Sequence, residues 1–187
     1  MTLRIYGKRS LKTLPGLATR PTPSRVREAL FHLWRAGMTD CRWLDICAGA
    51  GTMGAEALAL GARFVAGIET SGAACRVIAQ NWQAIARPPQ QFQLERGDAR
   101  RAIAKFASLP EPFDYIYFDP PYASDLYLPV LAQVSQLGLL ALEGQMAVES
   151  DSDRDLPDRI EALRQVDRRT YGNTVLSFYA RASLPAR

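Results

Sequence analysis

Apolar positions along this chain recur with two periods that take turns. Apolar runs near 43–47, 63–68, 91–95, 114–118 and 145–149 predict strands. Segments near 53–60, 72–86, 99–107 and 125–136 carry helical spacing. Strand and helix alternating in this way predict a doubly wound, mostly parallel α/β sheet. The end of the chain breaks the rhythm. Leu163–Tyr171 and Thr174–Ala182 predict two further strands joined by a Gly172-Asn173 turn, which makes seven in all and places an antiparallel strand at the C-terminal end. Ala86–Gln90 and Ser150–Asp158 read as surface loops, and no internal repeat is visible.

The start of the chain has its own pattern. Leu3 to Tyr6 predicts a short strand, and Gly7, Pro15 and Gly16 mark the turns of an ordered hairpin. A helix is expected from about Pro23 to Arg35, with Thr22 as N-cap and Pro23 at the first helical position. Val26, Ala29, Leu30, Leu33 and Trp34 fall on its expected buried face, and Arg25, Glu28, His32 and Arg35 on the opposite one.

At 187 residues and 48% hydrophobic content, the chain is long and apolar enough for one α/β domain with a full core. The expected division is a basic extension over 1–22 and a catalytic domain over 23–187. No apolar run approaches the ~20 residues that span a bilayer, and no secretory signal is read at Met1. Cys41, Cys47 and Cys75 show no paired spacing, so neither disulfides nor a zinc site is indicated, and a reducing cytoplasm fits. His32 is the single histidine, which gives no support to a catalytic triad or a histidine metal cluster. No metal is expected. The chain is expected to be a monomer, because no stretch reads as a dedicated dimer face.

Charge is unevenly placed. Residues 1–35 carry eight basic side chains and Glu28 alone, or 8 − 1 = +7, while the remainder carries 15 − 18 = −3. A basic arm on a mildly acidic body suits a polyanion, with Arg4, Lys8, Arg9, Lys12 and Arg25 as phosphate-binding candidates.

The most pointed chemistry is Asp119-Pro120-Pro121-Tyr122, directly after the apolar run Tyr115–Phe118. The Asp119 carboxylate and the Pro120 carbonyl can each accept an N–H from a planar amine, Pro120 and Pro121 stiffen the loop, and Tyr122 offers a face for a base to stack on. A strand ending in a plain Pro-Pro turn is the bland reading. A second motif weighs against it: an apolar strand over 43–47 runs into Ala48-Gly49-Ala50-Gly51, followed by Thr52-Met53-Gly54 and a helix. Glycines let a nucleotide-like ligand approach the backbone, and helix N-terminal amides point at it. Gly49, Gly51 and Gly54 match G-x-G-x-x-G, which a nicotinamide oxidoreductase would share. Glu69, with Thr70 after it, ends the next strand and suits ribose hydroxyls of either NAD or S-adenosylmethionine. Asp45, inside the strand before the glycines, can reach the amino group of a methionine moiety, where a dinucleotide fingerprint has an apolar residue. Asp98-Ala99 follows the 91–95 strand, where Asp98 can bind an adenine amino group, cap a helix, or do both. The antiparallel end of the sheet also favours a methyltransferase over an ordinary dinucleotide fold.

With these residues assembled, the chain resembles the bacterial 16S ribosomal RNA guanine-N2 methyltransferases that modify guanine 966. The resemblance covers nearly the whole chain. It runs through Arg20-Pro21-Thr22, Arg25-Val26-Arg27-Glu28-Ala29-Leu30-Phe31, Leu44–Gly51, Glu56-Ala57-Leu58, Gly61-Ala62, Glu69, Asn81, Asp98, Asp119–Tyr122 and Tyr171–Thr174. His32 and Ala59-Leu60 depart from the usual family pattern. The resemblance implies a Rossmann-like class I methyltransferase. It implies S-adenosylmethionine as donor with S-adenosylhomocysteine as product, the guanine N2 as acceptor, and a small-subunit assembly particle as substrate. Arg20 and Thr22 are then expected beside the Asp119–Tyr122 loop. An adenine-N6 or cytosine-N4 methyltransferase acting on DNA or RNA would use the same acceptors, and a non-catalytic RNA-binding factor would keep the fold without needing them.

Overall fold

A computed structural model describes residues 3–13 and 24–182. Strands β1 (Leu3–Ile5) and β2 (Arg9–Leu11) form an antiparallel hairpin turned by a 3-10 segment, Tyr6–Lys8, in which Gly7 takes φ 73°. Helix α1 (Ser24–Trp34) leads to β3 (Arg42–Ile46), α2 (Thr52–Ala59), β4 (Phe64–Glu69) and α3 (Gly72–Ile85). Then come β5 (Gln91–Arg96), α4 (Ala99–Ala102), β6 (Phe113–Phe118), α5 (Tyr127–Gln136) and β7 (Leu140–Asp151). Strands β8 (Arg159–Ile160), β9 (Leu163–Tyr171) and β10 (Thr174–Arg181) close the fold. Among the described residues, no helix is long and apolar enough to cross a membrane.

The main sheet has the order β5-β4-β3-β6-β7-β10-β9-β8. Strands β3 to β7 pair in parallel, while β10, β9 and β8 pair antiparallel. The terminal hairpin therefore does place an antiparallel strand beside a parallel sheet. The eighth strand is β8, two residues pairing Arg159 with Arg164 and Ile160 with Leu163, too short to leave an alternating pattern in the sequence. Strand β7 runs past the expected boundary into Ser150 and Asp151, because Val175 and Thr174 of β10 pair with them.

Two cores flank the sheet. On one face Trp43, Val65, Tyr117, Leu176 and Phe178 pack under α1, α2 and α3; on the other Leu44, Ile46, Ile116 and Val148 pack under α4 and α5. Alternation along β3 sends Trp43 to the first core and Leu44 and Ile46 to the second. Ile5 and Leu11 of the hairpin belong to the first core.

Helix α1 is rotated from the expected face. It buries Val26, Arg27, Leu30, Phe31 and Trp34, while Leu33 stays 37% exposed. Phe31 stacks on Trp43 at 5.1 Å between centroids, and Trp34 meets Trp43 and Phe178 edge-on. A buried aromatic ring removes about 150–250 Å2 from water at about 25 cal/mol per Å2, which outweighs burying Leu33. The rotation carries Arg27 inward, where its Nε lies 3.5 Å from Glu56 Oε2 and its NH2 donates to the Arg4 carbonyl at 2.9 Å.

Candidate functional site

All five parallel strands end on one edge of the sheet, and the predicted motifs sit on the loops there. After β3 the chain turns through Cys47, Gly49 and Gly51, with φ of 66°, 57° and 72°. The turn is closed by Gly51 N–H to the Ala48 carbonyl at 2.7 Å, and Ala48 N–H is tied to the Ile68 carbonyl at 2.9 Å. A Cβ added at Gly49 would meet nothing within 4 Å, so the backbone there is open to a ligand. Gly51 and Gly54 differ: added Cβ atoms would fall 2.9 Å and 2.3 Å from the Trp82 ring. Trp82, from α3, is fully buried and donates its indole N–H to the Gly51 carbonyl at 2.7 Å. The third glycine of the pattern thus serves the packing of Trp82 under the turn.

Asp45 lies deeper than the sequence suggested. It is 1% exposed, and its Oδ2 accepts from Gly54 N–H at 3.0 Å in the first turn of α2. Burial pushes its carboxyl up to about 7; the Gly54 hydrogen bond opposes the shift and the nearby charge of Glu69 adds to it. Glu69, at the end of β4, accepts from Gly49 N–H at 2.9 Å, Ser71 N–H at 2.8 Å and the Thr70 hydroxyl at 3.2 Å. It therefore joins the glycine turn to the next loop. Asp98 caps α4, accepting from Arg100 N–H at 3.0 Å, and its other oxygen pairs with the Arg100 guanidinium at 3.0 Å. That hydrogen bond holds the Asp98 carboxyl below its usual range. Ala99 is buried behind it.

Asp119 stands half-buried one strand over, its N–H bonded to the Ile46 carbonyl at 3.2 Å, so the acceptor loop is fastened to the strand that feeds the glycine turn. Pro120 is buried and Pro121 exposed. Tyr122 is half-buried, and its hydroxyl lies 3.1 Å from Glu149 Oε1 and 3.2 Å from Thr174 Oγ1. Burial first, and then the Glu149 charge, push the Tyr122 phenol up to about 12. Glu149 and Arg154 leave no local signal, and Thr174 enters the sequence reading only within the Tyr171–Thr174 stretch of the resemblance; each meets Tyr122 across at least 27 residues of chain.

One thiol shows how the carboxylates converge. Burial raises the Cys47 thiol strongly, and Glu69, Asp119, Asp45 and Asp98 all raise it further. The neighbouring parallel strands β5-β4-β3-β6 thus bring the four sequence-predicted carboxylates to one edge of the sheet.

The basic candidates lie on the α1–α3 side. Arg4 and Lys12 are exposed, and Arg25 is exposed in the first turn of α1. Arg9 donates to the Ile85 carbonyl at 3.4 Å, and the Lys12 ammonium to Gln80 at 3.0 Å. Arg27, one of the eight basic residues in 1–35, is interior. The backbone of Lys8 lies in the hairpin turn. Arg20 and Thr22 lie outside the described residues.

The family model described as conserved hypothetical protein 95 matches residues 3–180. A Bacillus subtilis protein named "Putative rRNA methyltransferase YlbH" is 30% identical over 171 residues, covering 91% of this chain and 92% of that one. Ribosomal RNA small subunit methyltransferase D of Escherichia coli is 33% identical over 150 residues, covering 76% and 69%. A solved structure described as "Putative methyltransferase yhhF from Escherichia coli" superposes with a TM-score of 0.79 at 26% identity, covering 98% of this chain and all of that one.

Proposed function

The chain belongs to the conserved hypothetical protein 95 family and has a Rossmann-like methyltransferase fold, and from that premise we propose that it transfers a methyl group from S-adenosylmethionine to the exocyclic N2 of a guanine in 16S ribosomal RNA. The substrate in this reading is a small-subunit assembly particle in the cytoplasm, and the enzyme acts as a monomer. The observation that carries it is the placing of Asp45, Glu69, Asp98 and Asp119 at one edge of neighbouring parallel strands, beside an open glycine turn. With Asp45 pushed up to about 7 and Asp98 paired with Arg100, it is Glu69 and Asp119 that suit a donor with a sulfonium and an ammonium better than the pyrophosphate of a nicotinamide dinucleotide. The names of the Bacillus and Escherichia relatives support ribosomal RNA as the substrate class.

S-adenosylmethionine, when bound, supplies a methyl group on a positively charged sulfur. Gly49 to Gly51, with Asp45 beneath them, would hold its methionine end, Glu69 and Thr70 its ribose, and Asp98 and Ala99 its adenine. The target base leaves its stack to reach the site. Tyr122 would stack on it, while Asp119 and the Pro120 carbonyl accept the two N2 hydrogens. That aims the nitrogen lone pair at the methyl carbon, and positioning of this kind carries much of the rate. Transfer would exchange the donor's sulfur–carbon bond for a nitrogen–carbon bond, with S-adenosylhomocysteine as leaving group, and Asp119 or solvent would take the surplus N2 proton. Arg4, Lys8, Arg9, Lys12 and Arg25 would bind RNA phosphates, with Arg20 and Thr22 beside the acceptor loop.

The test is methyl transfer from labelled S-adenosylmethionine to undermethylated small ribosomal subunits, with nucleoside-resolved mass spectrometry of the product. N2-methylguanosine at one site is the expected product. Methyladenosine or methylcytidine would keep the chemistry and overturn the acceptor; no label, with S-adenosylhomocysteine still bound, would overturn the substrate.

A further inference from the structure

Behind the acceptor loop lies a closed circuit of contacts. Tyr122 donates its hydroxyl to Glu149 Oε1 at 3.1 Å. Its backbone carbonyl accepts from the Arg154 guanidinium at 2.6 Å. That guanidinium lies over the Tyr127 ring, 4.3 Å from the centroid. Tyr127 in turn donates its hydroxyl to the Glu149 backbone carbonyl at 3.3 Å, which returns the path to its start. Tyr117, one turn of the pleat ahead of Asp119 on β6, gives its hydroxyl to the second Glu149 oxygen. Glu149 is 2% exposed and Tyr117 and Tyr127 are 1% exposed.

A carboxylate buried to this degree is costly unless it is hydrogen-bonded, and apolar side chains of similar volume hold strands together without that cost. What they cannot supply is direction. A hydrogen bond at the far end of the Tyr122 ring and a clamp on its carbonyl fix both ends of the residue. The hydroxyl oxygen lies on the axis about which the ring turns, so anchoring it fixes where the ring points. The plane follows because a phenol prefers its hydrogen-bond partners in the ring plane, and that oxygen has two, Glu149 Oε1 at 3.1 Å and Thr174 Oγ1 at 3.2 Å.

We infer that Glu149 is a positioning residue for methyl transfer, setting the plane of the Tyr122 ring on which the target base stacks, while Arg154 holds the loop backbone to which that ring belongs. This rests on the function proposed above, since the role of Tyr122 as the base platform comes from that reading. The circuit makes no use of the donor pocket, so loss of Glu149 separates acceptor alignment from donor binding. A plain tertiary staple would lower the melting temperature and leave the rate per folded molecule alone.

Three variants decide between them: Tyr122→Phe, Glu149→Gln and Glu149→Ala. Titration with S-adenosylhomocysteine counts competent molecules, and turnover on undermethylated small subunits is expressed per competent molecule. Tyr122→Phe removes one oxygen at the half-buried end of the circuit and guards against a Glu149 variant that does not fold. It is expected to lower kcat by about ten- to a hundredfold, the scale of a small misplacement at a reacting centre, with S-adenosylhomocysteine affinity within about twofold of wild type. Glu149→Gln keeps an acceptor for the phenols and should recover most of the rate lost in Glu149→Ala. Combining Tyr122→Phe with Glu149→Gln should cost little more than the worse single change, because both cut one link. Wild-type turnover with all three variants equally fast per competent molecule overturns the positioning role. A wild type that transfers no methyl group overturns the function proposed above instead.

Discussion

Asn81 grips Lys12 by both ends of one side-chain amide. Its Oδ1 accepts from the Lys12 N–H at 2.9 Å, and its Nδ2 donates to the Lys12 carbonyl at 3.1 Å. The same Nδ2 reaches the Ala50 carbonyl at 3.2 Å, so a buried side chain on α3 ties the basic hairpin to the glycine turn. Asn81→Ala strips these groups of their partner, at a cost of about 1–3 kcal/mol. The expected outcome is a lower melting temperature together with weaker S-adenosylhomocysteine binding. Thermal denaturation and calorimetry on one sample check both, and unchanged affinity would confine Asn81 to holding the hairpin.

Asp119→Ala should abolish turnover and leave S-adenosylhomocysteine affinity nearly intact. The carboxylate sits just after β6, one strand away from the glycine turn, and the loop stays fastened by the Asp119 backbone N–H to the Ile46 carbonyl. Intact turnover in the variant would remove Asp119 from the chemistry.

Glu69→Ala should weaken donor binding by roughly 1.5–3 kcal/mol, the scale of hydrogen bonds to a charged group. The structure adds a second consequence. Glu69 also accepts from the Gly49 and Ser71 amides, so its loss frees the glycine turn as well as the ribose site. Hydrogen exchange at the Gly49 amide should therefore speed up even without ligand, and calorimetry measures the affinity.

Asp45 gives the protein a pH dependence with a definite sign. Its carboxyl titrates near 7 when folded against a reference value of 3.8, so between those values the folded state keeps a proton that the unfolded chain has released. Stability from this group is then greatest below about pH 4, falls as pH rises, and levels off above about pH 7. Melting temperatures of wild type and Asp45→Asn, measured from pH 5 to 8, isolate it. The wild type should lose more than the variant over that range, and parallel curves would place the ionisation elsewhere.

If Arg4 and Lys12 meet RNA phosphates, activity should fall steeply with salt. Replacing either by alanine should flatten the log–log slope by about one unit per charge. An unaltered slope would leave those side chains solvated on the surface.

The alternating strands and helices were legible because buried parallel strands and amphipathic helices leave distinct periods. So were the glycine turn, Glu69, Asp98 and the Asp119–Tyr122 loop, each a local motif at a strand end. What was hidden depends on residues distant in sequence. Arg27 looks like a surface charge until Glu56, 29 positions on, arrives beside it. The extended run at the end of β7 does not announce that Glu149 gathers three tyrosines. Gly54 fits a cofactor pattern, and only the position of Trp82 shows which ring needs the space.

The hairpin of β1 and β2 docks against partners made much later. Tyr6 reaches Glu56 across 50 residues, and Lys12 reaches Asn81 across 69. During synthesis β1 and β2 leave the ribosome before α2 and α3, so the Glu56 contact waits for α2 and the Asn81 contact for α3. Contacts of such long range close slowly, and domains settle as units once their later parts arrive. The basic hairpin is thus held at both of these points only after α3 has emerged.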